Sequence, residues 1–444
     1  MTANPRADQA GWTRALCWAT VTLEGFDIVA LSAALPSILD AGHAGIGKAE
    51  ATFVTTLSLV GILVGAVAVG PLSDRFGRKV CMLSSIALFS VLTLLVPLAP
   101  DVTTFGTLRF LAGIGLGACM PAALTMMSEI TAPSRRARAT TLTMTGYHVG
   151  AVLTALIALA VVPNWQALFV IGGVVGLVVL PVMWLKLPET NELALARRAP
   201  AAAAALAPSA AQSAAPVTQT PVTKVPISAV LRPPFLLASI ATWVASFMGL
   251  LLVYGLNSWL PTIMREAGYE LSASLTLLLL LNLGGVAGLV LAGVVGDLRG
   301  IRPSCVAWFG AASVFLGLLS VRMPTLVLDV AVFLTGVFVF SAQVLVYAWV
   351  TRTYPADIRG TALGLASGIG RVGSIVGPTI TGALVTAGVA YPWGFYFFSA
   401  VALLAVVAML VVPRGLEQAE RRREAADAPA RATTATVTTK GALS

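Results

Sequence analysis

Gly70-Pro71-Leu72-Ser73-Asp74-Arg75-Phe76-Gly77-Arg78-Lys79 is a short charged stretch between two long apolar runs, and its two glycines mark a tight turn at which one helix ends and the next reverses. The run before it extends from about Ala51 to Val69 and the run after it from about Cys81 to Leu98. Each is close to the length needed to cross a bilayer, about 20 residues. The pattern recurs along the chain, giving around twelve apolar runs joined by short polar segments. With 57% apolar and only 11% charged residues and a mean hydropathy of +0.89, the composition excludes a soluble protein. The expectation is an all-α integral membrane protein of twelve transmembrane helices.

The turn has a second, worn copy. Gly293-Val294-Val295-Gly296-Asp297-Leu298-Arg299-Gly300 places Gly293, Asp297 and Gly300 at a constant offset of 223 positions from Gly70, Asp74 and Gly77. The same offset carries His148-Val149-Gly150 onto Arg371-Val372-Gly373. One register explains both, so two pseudo-symmetric six-helix halves are expected, related by an axis along the membrane normal, with a substrate held near midplane between them. The boundaries read as a cytoplasmic N-terminus over 1–11, a first half over 12–190, an Ala- and Pro-rich cytoplasmic linker over 191–232, a second half over 233–413 and a disordered cytoplasmic tail over 414–444.

A net charge of +9 could suggest nucleic acid, but the basic residues sort by side instead. With the N-terminus inside, only Lys48, Arg265 and Arg322 of the 28 Lys and Arg fall outside, and Arg109 and Arg371 fall within spans. This is the positive-inside pattern, so the charge sets topology, and both termini are expected to be cytoplasmic in an inner (plasma) membrane. Cys17, Cys81, Cys119 and Cys305 lack metal-ligand or redox spacing and read as small core residues. The first apolar run is too long for a signal-peptide core and is expected to stay as the first span. The lipid bilayer is the expected surrounding and a monomer the expected state. Trp259 and Trp393 lie near span ends and read as interfacial anchors.

Ionisable groups inside spans are costly and usually face a polar pathway. Glu24 and Asp27, three residues apart in Leu23-Glu24-Gly25-Phe26-Asp27, share one face of the first helix and suggest a proton or cation site; the plainer reading is a pair of interhelical hydrogen bonds. Arg109, in Arg109-Phe110-Leu111-Ala112-Gly113-Ile114-Gly115-Leu116-Gly117, needs a carboxylate, a carbonyl or water, unless it snorkels to the interface. The glycines after it permit close helix packing. His148 is the histidine within a span, fit for proton or carboxylate handling or for neutral packing. Arg371, in Gly368-Ile369-Gly370-Arg371-Val372-Gly373, can grip a carboxylate in bidentate fashion or pair with Glu24 or Asp27. The acids map at the repeat offset onto apolar residues, which confines the acidic site to the first half and leaves Arg371 to the second.

The Gly70–Lys79 stretch resembles the loop between spans two and three of the major facilitator superfamily, G-x-L-x-D-R-x-G-R-[RK]. The Arg109 string resembles that superfamily's fourth-span motif, whose Arg is implicated in proton coupling, and Pro188-Glu189-Thr190 resembles its ending of span six. The resemblance implies that Glu129 with Arg78 and Asp74 closes a cytoplasmic gate, with Asp297 as the second half's counterpart. Ser246 to Met264, Tyr354-Pro355, Arg359-Gly360-Thr361 and Gly368 to Pro378 are similar to the aromatic acid:proton symporters within it. Their first span usually reads D-G-x-D; this chain has Glu24 at the first acid, which resembles the carriers of 3-(3-hydroxyphenyl)propionate more than those of 4-hydroxybenzoate.

The resemblance implies a carrier that imports a small aromatic carboxylate with protons by alternating access. Glu24, Asp27 and Arg109 would couple protons. Arg371 would meet the substrate carboxylate, with Tyr147, His148, Tyr254, Asn257, Asn282, Gln343 and Tyr347 as pocket candidates; ordinary packing is the alternative for each. Protons are the coupling ion, with no other cofactor and no metal. A proton-coupled exporter of drugs or aromatic acids in the same fold is the rival reading. The fifth span lacks the G-x-x-x-G-P-x-x-G-G type of signature that marks many antiporters of the superfamily, which counts against export. A membrane enzyme would need a nucleophile with its base or H-x-x-x-H spacing, and the histidines are His43 and His148.

Overall fold

The computed structural model describes residues 5–131, 136–190, 230–413 and 415–416. Nearly all of the expected linker, most of the expected tail, the first four residues and the start of the basic loop at 133–138 lie outside the described residues. The first half contains α1 (Pro5–Ala41), α2 (Lys48–Phe76), α3 (Arg78–Leu95), α4 (Val102–Ile130), α5 (Arg136–Val161) and α6 (Gln166–Lys186). The second contains α7 (Leu236–Glu266), α8 (Leu271–Arg299), α9 (Ile301–Leu318), α10 (Thr325–Thr353), α11 (Ala356–Thr386) and α12 (Ala390–Val411).

Eleven of these twelve helices are long and apolar enough to cross a membrane. The other, α11, carries Arg359, Arg371 and a series of Gly, Ser and Thr, because much of its surface packs on protein instead of lipid. Several helices outrun the apolar runs that announce them. The 29 residues of α2 rise about 43 Å at 1.5 Å each, whereas hydrocarbon occupies about 30 Å. Hydropathy therefore marks the hydrocarbon, and the helices continue beyond it.

The two halves repeat their packing. In the first, α1 lies mainly on α5, α2 on α4 and α3 on both α4 and α6; in the second, α7 lies on α11, α8 on α10 and α9 on both α10 and α12. Lipid gives helices no hydrophobic reason to associate, so close backbone approach carries much of the packing. A Cβ at Gly113 or Gly117 would stand 2.4 Å from the Ser58 carbonyl oxygen or 1.9 Å from that of Ile62, which places α4 directly against the α2 backbone.

The charged turn is tighter than the sequence suggests. Gly70 and Pro71 are helical, Gly70 has open space where a Cβ would sit, and α2 runs on to Phe76. Gly77 alone makes the reversal, at φ 100° and ψ 155°, and Gly300 repeats it at φ 88° and ψ 150°. A Cβ on Gly77 would also strike the Glu189 carboxylate at 2.1 Å. That carboxylate accepts from the Arg78 backbone N–H at 2.8 Å and so caps the start of α3. Elsewhere Asp101 caps α4, accepting from the Thr104 backbone N–H and hydroxyl, both at 2.9 Å. The backbone donor, seconded by the hydroxyl, holds its carboxyl below the usual carboxylate range.

Trp259 corrects the reading of it as an interfacial anchor. It is fully buried and its Nε1 donates to the Pro378 carbonyl at 2.9 Å, stitching α7 to α11; nearness to a span end is not exposure when the helix end packs on a neighbour. Trp393 is 61% exposed, as an anchor would be.

Candidate functional site

Glu24 and Asp27 sit within one turn of α1, and the structure sends them to different partners. Asp27 is 1% exposed; one carboxylate oxygen accepts from the Thr93 hydroxyl of α3 at 2.8 Å and the other from Arg109 Nη1 of α4 at 2.9 Å. Arg109 is equally buried, lies over the Phe169 ring at 5.8 Å and reaches Ser58 of α2 at 3.5 Å. It does not snorkel. The pair is a buried ion pair inside the first half, closed on one side by an aromatic face.

Glu24 is fully buried and neither of its carboxylate oxygens has a hydrogen-bond partner. It faces the α4 backbone at Met120 without a bond of ordinary geometry, and it feels the charge of Arg371 across the seam between the halves. No ion pair joins the two. Its position is fixed by the next residue: a Cβ on Gly25 would stand 2.1 Å from the Tyr147 carbonyl oxygen, so α1 and α5 touch backbone to backbone beside Glu24.

Arg371 comes from α11, pressed onto α7 where a Cβ on Gly370 would meet the Ser246 hydroxyl at 2.6 Å and one on Gly373 the Phe247 carbonyl oxygen at 2.2 Å. Its Nη1 donates to the Tyr254 hydroxyl at 3.1 Å, and its charge also lies within reach of Glu24, Tyr147 and Tyr347. The arrangement is a cation with spare donors, three tyrosines and one unpartnered carboxylate, drawn from both halves.

The other sequence candidates gather around it. Asn282 Nδ2 donates to Asn257 Oδ1 at 3.1 Å, and Asn257 lies one turn beyond Tyr254 on α7. Gln343 Nε2 donates to Ser246 at 3.0 Å. His148 packs edge-on against Tyr147 at 5.4 Å and against Phe340 of the opposite half at 5.3 Å. Tyr147 Oη, His148 Nδ1, Asn257 Nδ2, Asn282 Oδ1 and Gln343 Oε1 are all buried without a partner. Buried polar atoms are normally satisfied, so such a concentration at one place is what a polar ligand would complete.

At the end of the bundle that holds Gly77, Arg78 donates to Asp74 at 2.6 Å, to Ser73 at 2.7 Å and to Glu129 at 3.2 Å. Thr190 donates to the other Glu129 oxygen. The three residues expected to form the gate in the first half are thus together. Asp297 stands apart from them and pairs with Arg352 in the second half. Arg352 was open to reading, since it lies at the repeat offset from Glu129.

Among bonds whose partners are both described, those between the halves lie elsewhere. Ser32 donates to the Asn257 carbonyl, Thr56 meets Thr379 at 3.0 Å and Thr52 meets Thr386 at 3.4 Å. At the end opposite Gly77, Asp40 pairs with Arg265 at 3.0 Å and Lys48 with Glu266. The sequence signal was that Lys48 and Arg265 are two of the few basic residues on that side. Thr93, Ser58 and Ser32 carried no signal, being ordinary small residues of apolar runs.

The profile of the Major Facilitator Superfamily matches residues 17–365 and 283–443. The chain belongs to this superfamily, and aromatic acid transporters are among its relatives there. It is 32% identical over 407 residues to the gallate transporter of Pseudomonas putida, covering 89% of this chain and 90% of that one. It is 31% identical to the gentisate transporter of Corynebacterium glutamicum, covering 89% and 86%. The crystal structure of a D-xylose-proton symporter superposes with a TM-score of 0.69 at 16% identity, covering 91% of this chain and 98% of that one, a likeness of fold. The protein is a multi-pass membrane transporter and not an enzyme.

Proposed function

We propose that the protein imports a small aromatic carboxylate together with protons by alternating access. The observation that carries this reading is the confrontation of Arg371 with Glu24 across the seam: a bidentate anion holder faces a carboxylate that has no partner of its own. The substrate carboxylate docks on Arg371 and Tyr254, and the tyrosines, with His148 and Phe340, supply aromatic walls for the ring. That the gallate and gentisate transporters are relatives supports an aromatic acid as the cargo.

Coupling follows from charge. Two carboxylates cannot both be ionised beside one guanidinium without repulsion, so substrate enters with a proton on Glu24, and Arg371 is left to the incoming anion. Asp27 with Arg109 is the second proton site, where protonation dissolves the ion pair that holds α1 to α4. Asp74, Arg78 and Glu129, with Asp297 and Arg352, gate the end taken as cytoplasmic, in an inner membrane with both termini inside.

Uptake of labelled benzoate, hydroxybenzoates, phenylpropionates, nicotinate and a non-aromatic acid in expressing cells, with and without a protonophore, tests the reading. Accumulation of an aromatic acid that the protonophore abolishes is the expected result. If instead expressing cells retain less of the acid until the protonophore is added, the protein is an exporter and the roles of Glu24 and Asp27 reverse.

A further inference from the structure

Asp27 is sealed by its own partners. With Thr93 on one oxygen, Arg109 on the other and 1% of the residue exposed, it exchanges protons only through an opening that reaches the pair. A cavity reaches the Arg109 side of the pair. It measures about 20 Å³ and is lined by Arg109 together with Thr55 and Ser58 of α2, Ile28 and Ser32 of α1 and Ser258 of α7. A cavity needs on the order of 10–15 Å³ by this measure to hold a water, and the water needs two to four polar partners. Both conditions are met. Arg109 Nε and Thr55 Oγ1 are buried without partners, and the Ser58 hydroxyl has only a long contact with Arg109.

The cavity also has an end at the seam. Ser32 and Ser258 belong to opposite halves, and the Ser32 hydroxyl donates to the backbone carbonyl of Asn257. The side chain of Asn257 is bonded to Asn282 in the candidate substrate site. One residue of α7 therefore touches both the cavity wall and the substrate cluster. The other titratable or charged groups around Asp27 are Cys119 and Arg109 of α4 and Glu24 of its own helix.

We propose that this cavity is a water site through which protons reach and leave Asp27, with the Ser32–Asn257 contact making its opening depend on where α7 stands. The inference rests on the reading of Asp27 as a proton site. In the inward step of the proton, the Arg109 guanidinium moves off Asp27 Oδ2, and a hydronium from the cavity gives that oxygen one proton and remains as water. The carboxyl becomes neutral, and the guanidinium keeps its proton and charge and turns its freed N–H to that water and to Ser58. In the return step the water takes the proton back and the ion pair re-forms. Thr55 is a positioning residue, holding the water through its hydroxyl.

The test uses the full chain in proteoliposomes with labelled benzoate and hydroxybenzoates as probes, reading counterflow, net uptake and internal pH from a trapped dye. Thr55→Val keeps shape and removes the hydroxyl. It is expected to keep counterflow, which moves no net proton, while uptake and acid-driven proton movement fall at least about tenfold. Thr55→Ser restores them, and Ser58→Ala gives the same split. Unchanged uptake in Thr55→Val overturns the proposal, as does equal loss of counterflow and uptake that Ser does not rescue, since that is a packing defect. If the wild type moves a probe without moving protons, the coupling reading itself fails and this inference with it; if it moves no probe, the aromatic-acid reading fails and takes both with it.

Discussion

Arg352 occupies in the second half the place that Glu129 occupies in the first, 223 positions earlier, and the reversal of charge changes how each half ties this charged turn. Arg352 meets Asp297 directly, whereas Asp74 and Glu129 are both acids and meet only through Arg78. Position 301, the counterpart of Arg78, is Ile. The Arg352–Asp297 pair is largely exposed, so Arg352→Ala should cost at most about 1 kcal/mol. Arg78→Ala leaves two acids facing each other and should cost about 1.5–3 kcal/mol, the worth of a hydrogen bond to a charged group. Thermal unfolding in detergent measures both. The double variant Arg78→Ile with Glu129→Arg carries the second half's arrangement into the first and is expected to recover part of that loss.

Asp27 and Arg109 pose the same question without water around them. Removing one member of a buried ion pair strands the other and costs about 3–5 kcal/mol. Arg109→Gln should therefore destabilise by about that amount, and Asp27→Asn with Arg109→Gln by less than Arg109→Gln alone. In transport, Asp27→Asn is expected to abolish accumulation while leaving some substrate exchange. Loss of exchange with intact accumulation would sink the role given to it.

Much of this was legible because the chemistry is expensive. An acid or an arginine in an apolar run stands out, so Glu24, Asp27, Arg109 and Arg371 could be named from sequence, as could the Gly77 turn, whose backbone angles need glycine. What was not legible was which carboxylate meets which cation. A spacing of three places both acids on one side of α1, but the neighbours decide, and Thr93 and Arg109 claim Asp27 while Glu24 is left to face the seam. Hydroxyls such as Ser32 and Thr55 gave no sign, because small polar residues are common in packed membrane helices and usually bond to their own backbone. Trp259 was misread for a related reason: sequence position gives depth in the membrane and says nothing about which side of the helix is covered.

Asp101 gives a pH dependence outside the membrane. Its folded carboxyl is held below the usual range by the Thr104 donors, so its contribution is present above the unfolded value and is lost as pH falls through the lowered folded value. Asp101→Asn keeps an acceptor at the cap and removes the charge. The difference in Tm between wild type and this variant, measured from neutral pH downwards, should shrink towards zero below the usual carboxylate range. A difference that does not change with pH would mean that the cap acts without its charge.

The ion pairs Asp40–Arg265 and Lys48–Glu266 cross the seam in opposite senses, each half giving one acid and one base. They close the end away from Gly77, and they must part when the carrier opens there. Being partly exposed, each is worth about 0–1 kcal/mol and weakens with salt. Lys48→Ala with Arg265→Ala removes both pairs and should thus favour the state open at that end by up to roughly thirtyfold. Reactivity of a cysteine placed at Thr56, on the seam beside Thr379, reports the shift, and raising the salt should move the wild type in the same direction.

The proposed coupling of proton and substrate by competition is tested at Glu24. If the ionised carboxylate and the substrate anion contend for Arg371, binding takes up a proton, and the apparent affinity for an aromatic acid falls by about tenfold per pH unit once Glu24 is ionised. Glu24→Gln removes the contender while keeping size and a polar side chain. Its affinity should be flat with pH and close to the wild-type value at low pH. Binding followed by tryptophan fluorescence on purified protein separates this from any effect on reorientation. A Glu24→Gln protein that binds with the wild-type pH slope would place the coupling proton on the Asp27–Arg109 pair alone, and Glu24 would then face Arg371 as a fixed counter-charge.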